Sequence, residues 1–168
     1  MYLLDICIDK SIRWIKKFVK RRCIALPILE DIKDGISAYL ESIKPDFSRI
    51  KFDVKLSEYS NMLKFMGCHQ NEYRPDKLEE FILLIVNEYR GQIHVPNIFL
   101  PREMHHHGIG LKMLDIIRKI SLGQNYDFFI VDMVPSFYRR MRNRGALPCN
   151  EVDDAVGVVE GTDLSPHF

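Results

Sequence analysis

Cysteine is scarce in this 168-residue chain, and the four present, Cys7, Cys23, Cys68 and Cys149, lie far apart with no Cys-x-x-Cys pair. That spacing excludes a zinc knuckle and a two-cysteine redox couple, and a reduced cytoplasmic protein is the simplest expectation. Charge of one sign is lacking as well. Lys and Arg number 24 against 23 Asp and Glu, a formal net charge of +1, so no overall field draws in nucleic acid or an acidic membrane. Any electrostatic partner has to be met by a local patch. No apolar run approaches the roughly 18 to 20 residues that a membrane span requires. Residues 1–8 are apolar but short, carry Asp5, and have neither the basic leader nor the small-residue cleavage site of a signal peptide. Internal repeats and low-complexity segments are also missing.

What is there reads as one globular domain. Hydrophobic residues make up 46% and charged residues 28%, far from a disordered composition. A chain of this length buries roughly 70% of its unfolded surface and holds a core without disulfides or metal.

Hydrophobic spacing then sets out the elements. Ile12, Ile15, Phe18 and Val19 recur at helical intervals among seven basic residues, which predicts a basic amphipathic helix over 9–22. A second helix is expected over 28–43, stopped by Lys44-Pro45 because a residue before proline is pushed out of the helical region. Ile50, Phe52, Val54 and Leu56 alternate with Lys51, Asp53 and Lys55, the period of a half-buried strand. A short helix is expected over 57–66 and a loop over 67–74. Residues 78–89 fit a helical stripe as well as a strand; the unbroken apolar run 81–86, followed by the turn Arg90-Gly91 and a second strand-like run over 93–100, favours a hairpin. A helix over 111–120 ended by Gly123, a strand over 127–134, an arginine-rich helix over 136–144 closed by Gly145, and a last strand over 155–159 complete the series.

The chemistry concentrates between the strand ending at Leu100 and the helix beginning near Leu111. The turn His105-His106-His107-Gly108-Ile109-Gly110 sets several backbone N–H groups at a helix N-terminus, an arrangement suited to an anion. Glycines there let the backbone approach phosphate oxygens closely. No Gly-Lys-Ser/Thr follows, which sets aside the Walker loop, and the third glycine of a dinucleotide fingerprint is missing. Three consecutive histidines seldom converge on one ion, and with no cysteine or carboxylate at a suitable spacing nearby, no metal is expected.

With its strand–loop–helix–strand–helix order, the segment 77–147 resembles the GNAT superfamily of acyl-CoA-dependent acyltransferases. The signature of that family is Arg or Gln, two residues, Gly, one residue, then Gly or Ala. His105 to Gly110 keeps this spacing with His105 in the Arg/Gln place, and Asn97-Ile98-Phe99-Leu100-Pro101 looks like the central strand running into the loop. The resemblance implies a mixed, mostly antiparallel α/β (α+β) sheet flanked by helices, with residues 1–45 as an added helical extension packed on a domain over 46–168. It implies transfer of an acetyl group from acetyl-CoA to a primary amine by direct attack in a ternary complex. It also places the pyrophosphate on the loop residues His105, His106, His107, Gly108, Ile109, Gly110 and Leu111, and pantetheine along the strand edge at Ile98, Phe99 and Leu100. Gly108→Glu is expected to lose the cofactor while staying folded.

The attacking amine has to lose a proton; His94, Asp132 and Glu88 lie in position to receive it or pass it on. Tyr138 is the candidate proton donor to the departing thiolate. It stands seven residues before Gly145, whereas the family's tyrosine register falls on Met141. A noncatalytic, CoA-binding or protein-docking member of the same fold is the alternative, using the basic helix over 9–22 to meet an acidic partner. That helix could also meet an anionic membrane or the acidic residues near the other end of the chain. Arg139, Arg140, Arg142 and Arg144 either reach nucleotide phosphates or cap their own helix. The acceptor, whether small amine, peptide N-terminus, lysine or aminoglycoside, stays open, as does pairing of a sheet edge with a second subunit.

Overall fold

Ile28, Leu29, Ile32, Ile36 and Leu40 recur every three or four residues, and all five are buried in helix α1, Pro27–Ile43. This computed structural model describes residues 27–56, 61–69, 79–150 and 152–166. The basic helix expected over 9–22 lies outside them. Helix α1 packs antiparallel to α2, Ile109–Gly123. Its Gly35 lets the two approach so closely that an added Cβ would stand 3.0 Å from Ile116 Cγ2. Gln124 Nε2, just past α2, donates to Asp31 Oδ2 at 2.6 Å and ties the far ends of the pair together.

Among the described residues seven strands form one sheet: β1 Ile50–Leu56, β2 Met62–His69, β3 Glu79–Asn87, β4 Gln92–Ile98, β5 Asp127–Ile130, β6 Leu147–Pro148 and β7 Val156–Val158. Their order is β1-β2-β3-β4-β5-β7-β6, and every pair is antiparallel except β4 with β5. The fold is thus a mixed α/β arrangement with a mostly antiparallel sheet and, among the described residues, three α-helices, the class expected from the sequence. The parallel step follows from its connection, since a strand that continues in the same direction needs a crossover, here the loop and α2. Period-two alternation puts Leu63, Phe65, Ile82, Leu84, Ile93 and Val95 on one face, and all are buried. Phe128 and Ile130 of β5, with Val156 and Val158 of β7, continue this core.

Some expectations need correction. The helix expected over 57–66 gives way to β2, and Gly67, Cys68 and His69, expected in a loop, are its last residues. Met62, Leu63, Phe65 and Met66 suit a helical stripe and a strand equally; pairing with both β1 and β3 decides for the strand. Helix α2 begins two residues before Leu111, and its ending is not a left-handed glycine: Asn125 takes the positive φ of 59°. Strand β5 stops at Ile130 rather than Val134, and the last strand shrinks to Val156–Val158 while gaining β6 as a partner. The arginine-rich helix, α3, spans Pro135–Asn143 and is followed by Gly145 at φ 87°.

Candidate functional site

Strands β4 and β5 pair from Gln92↔Asp127 to Val95↔Ile130, and the last bond between them runs from Val131 N–H to the Val95 carbonyl at 3.2 Å. Beyond it they part. Strand β4 goes on through Pro96, Asn97 and Ile98 against β3, while the other chain turns away at Asp132, whose φ is 53°. A bulge accompanies the parting: Ile85 stands opposite His94 but Leu83 opposite Asn97, so β4 carries one extra residue across that step. Pro96, with no N–H to give a ladder, suits such a place. Phe99 N–H bonds back to the Phe81 carbonyl at 2.8 Å, and alternation therefore turns the Ile98 peptide N–H away from β3, toward the gap.

The loop between β4 and α2 closes one end of this gap. A 3-10 turn, Arg102–Met104, buries Met104 and leads into His105, His106 and His107, all exposed. The three imidazoles do not meet at one point, and the His105 and His106 rings stand edge-on at 6.2 Å. His105 Nε2 lies 2.8 Å from the Leu100 carbonyl, so that nitrogen carries the proton and pins the loop to the end of β4. His107 meets the Phe47 ring edge-on at 5.5 Å, and His106 adopts φ 65°. Among the described residues no group of three His, Cys, Asp or Glu side chains is placed to hold a metal.

Helix α2 starts with open N–H groups. Its first i to i−4 bond is Lys112 N–H to the Gly108 carbonyl, so the N–H groups of Ile109, Gly110 and Leu111 have no helical acceptor. Gly108 supplies no side-chain cap, and no acidic residue stands in the first turn to offset the positive end of the helix dipole. The two glycines differ. Gly108 sits at φ 70°, and a Cβ there would overlap the Pro166 ring; this glycine is required by the chain's own backbone and packing. Gly108→Glu would therefore strain the fold, contrary to the expectation above. Gly110 has no such reason, since its Cβ would meet Leu100 Cδ1 at an ordinary 3.4 Å. Glycine in a helix costs about 1 kcal/mol against alanine, and no packing among the described residues offsets it.

On the sheet, His94 lies on the face opposite Ile93 and Val95, half-buried, with its ring 5.6 Å from Phe129 and its Nε2 3.4 Å from Gln92 Oε1. Burial first, and the Arg90 guanidinium second, push its imidazole below the ordinary value of 6.5. It is thus held neutral at neutral pH, the form that accepts a proton. Asp132 is exposed on the opposite wall of the gap from Ile98. Glu88 sits in the turn before β4, at the other end of that strand from Ile98 and from the parting of the strands. Tyr138 is half-buried against the core in the first half of α3, one turn before Met141, which is fully buried. The position at which the resemblance implied a tyrosine therefore holds a core side chain with no proton to give.

The arginines of α3 serve their own surroundings. Arg142 bonds the Ala146 carbonyl, Arg139 Nε lies 3.4 Å from the Pro135 carbonyl, and Arg140 stands over the Phe137 ring at 6.0 Å. Two exposed apolar side chains flank the gap: Phe99 at 70% exposure, expected from the sequence on the strand edge, and Val134 at 60%, which sequence reasoning did not single out. Only the position of Val134 at the end of its diverging segment distinguishes it.

No family model matches this sequence, and no curated protein matches it. Among solved structures, the chain is similar to the crystal structure of nourseothricin acetyltransferase, at 10% sequence identity and a TM-score of 0.38, over 65% of this chain and 81% of that one. At that level of likeness, the geometry of the loop and the parted strands has to carry the functional reading. No helix among the described residues is long and apolar enough to cross a membrane.

Proposed function

We propose that this chain is a GNAT-like N-acetyltransferase that moves an acetyl group from acetyl-CoA to a primary amine by direct attack in a ternary complex. The observation that carries the reading is the parting of β4 from β5 beside a helix N-terminus whose first amides have no acceptor among the described residues. A ligand that is extended and amide-bearing along one stretch and doubly phosphorylated along the next fits both features. The amides of Ile109, Gly110 and Leu111 hold the diphosphate. The Ile98 peptide meets pantetheine as an added strand would, and Phe99 and Val134 gain apolar cover.

Acetyl-CoA supplies an activated thioester, so the chain has three tasks: to orient it, to polarise its carbonyl, and to take a proton from the amine. A backbone N–H of β4 at the bulge serves the second. His94 serves the third, as a neutral imidazole at the level where the strands part, with Asp132 across the gap to orient the ammonium before it loses its proton. Tyr138 is the remaining side chain with a proton for the thiolate. The chain acts in the cytoplasm, and a basic segment over 9–22 that docks an acidic partner is part of the same proposal.

Calorimetric titration with acetyl-CoA tests the reading directly. Micromolar binding is expected, and no heat at high micromolar ligand would remove it. A panel of amines followed by thiol release then separates catalysis from binding. The buried Met141 in the tyrosine register favours a second reading, a noncatalytic CoA-binding module, which binding without thiol release on any amine would select.

The imidazole gives a pH test. With a folded value below 6.5, His94 loses its proton-accepting form as pH falls through that lower value, so kcat/KM is expected to drop along an acid limb with its midpoint below 6.5. His94→Gln should erase this limb and reduce kcat/KM by about 10²-fold to 10⁴-fold; a limb unchanged in the variant would assign the proton to another group. Stability follows the same sign. The unfolded imidazole binds its proton first, so between 6.5 and the folded value the contribution of His94 to stability declines as pH falls.

A further inference from the structure

The residues after β7 are tied down at each step. Arg118 of α2 bonds the Glu160 carbonyl and, on its other nitrogen, Asp115 Oδ1 at 2.6 Å. Thr162 is buried, and its hydroxyl accepts Val159 N–H at 3.0 Å. Arg144, just past α3, donates from Nη1 to the carbonyls of Asp163 at 3.0 Å and Ser165 at 2.9 Å, while its own carbonyl accepts Asp163 N–H at 2.8 Å. Leu164 between them is 4% exposed. A segment fraying into solvent has none of these bonds. They deliver Pro166 onto Gly108, where a Cβ would overlap the proline ring and stand 3.2 Å from its Cγ and 3.4 Å from its Cα.

We infer that residues 162–166 form a strap that closes on the glycine loop and holds a diphosphate away from the first turn of α2 until the strap lifts. The inference rests on the loop being a diphosphate site, as proposed above. Pro166 carries an apolar ring and no N–H, so while seated against Gly108 it adds nothing that solvates phosphate oxygens beside the first turn of α2. The glycine pair then has divided duties, Gly108 admitting the strap and Gly110 the ligand. When only the lifted form binds, apparent affinity is the intrinsic affinity reduced by the lifted fraction. Weakening the seat should therefore tighten binding.

The test uses the full chain with Pro166→Gly, which removes the ring, and Arg144→Gln, which removes both carbonyl bonds. Coenzyme A and inorganic pyrophosphate are the calorimetric probes, and thermal melts report on folding. Pro166→Gly is expected to bind both probes about threefold to tenfold more tightly than the parent with a melting point within a few degrees, and Arg144→Gln to change affinity in the same direction. Unchanged or weaker binding in Pro166→Gly overturns the strap while parental binding of coenzyme A keeps the loop reading intact. No binding by parent or variants removes the loop reading, and the strap with it. Should Arg144→Gln fail to fold, Pro166→Gly decides alone.

Discussion

Gly110→Glu is expected to abolish coenzyme A binding and raise the melting temperature in the same protein. Gly110 lies in the first turn of α2 with no positive φ to protect, and its Cβ would meet Leu100 Cδ1 at 3.4 Å, an ordinary contact. Replacing glycine within a helix gains about 0.5–1 kcal/mol. A carboxylate in the first turn gains a further 0.3–1 kcal/mol or so from the helix dipole. That carboxylate occupies the amides a diphosphate needs and repels it. Like charges so placed cost several kcal/mol, a loss on the order of 100-fold or more in affinity. Calorimetry and a thermal melt on one preparation check both halves. A variant that binds as tightly as its parent would show that the first turn of α2 does not receive the phosphates. Gly108→Glu is a poorer probe, because overlap with Pro166 and a φ of 70° would damage the fold at the same time.

Phe65→Ala is expected to produce the largest loss of stability, about 3–5 kcal/mol. Phe65 is fully buried on β2, with its ring 6.2 Å from that of Phe81 and its backbone paired with β1 on one side and β3 on the other. Truncation removes the ring from between strands that cannot close the space, since their spacing is set by hydrogen bonds. For a chain of this size each kcal/mol shifts the melting point by roughly 2–4 °C, giving a fall on the order of 10 °C or more. A fall of only 2 or 3 °C would mean that β2 is not held in the middle of the core. Activity per folded molecule should be unchanged, because Phe65 has no part in the loop or the gap; normalising to the folded fraction separates the two effects.

The elements legible in the sequence were those with one reading. Ile50, Phe52, Val54 and Leu56 alternate without exception and form β1 with the expected bounds. The stripe from Ile28 to Leu40 with Pro45 beyond it forms α1. The run 81–86 was settled by its lack of polar interruptions, and β3 runs through it. Where two periods fitted, as across Met62 to Met66, local pattern could not choose, because pairing partners more than a dozen residues away supply the hydrogen bonds. Strand β6 had no signal at all: two residues, both exposed, become a strand only because β7 lies beside them.

The site divides in the same way. The turn, its glycines and the helix behind it were legible from residue types alone. That His105 would spend its donor on the Leu100 carbonyl was not, nor that Met141 would be core, nor that Pro166 would rest on Gly108. Composition and periodicity by themselves determined a mixed α/β class and a glycine-bearing turn before a helix, because those properties arise within a few residues of chain. Tertiary structure alone decided where β4 and β5 part, that Pro166 covers Gly108 but not Gly110, and how the segment after β7 returns to the loop. Each of these depends on contacts between residues distant in sequence, whose free energy exists only after the sheet has closed.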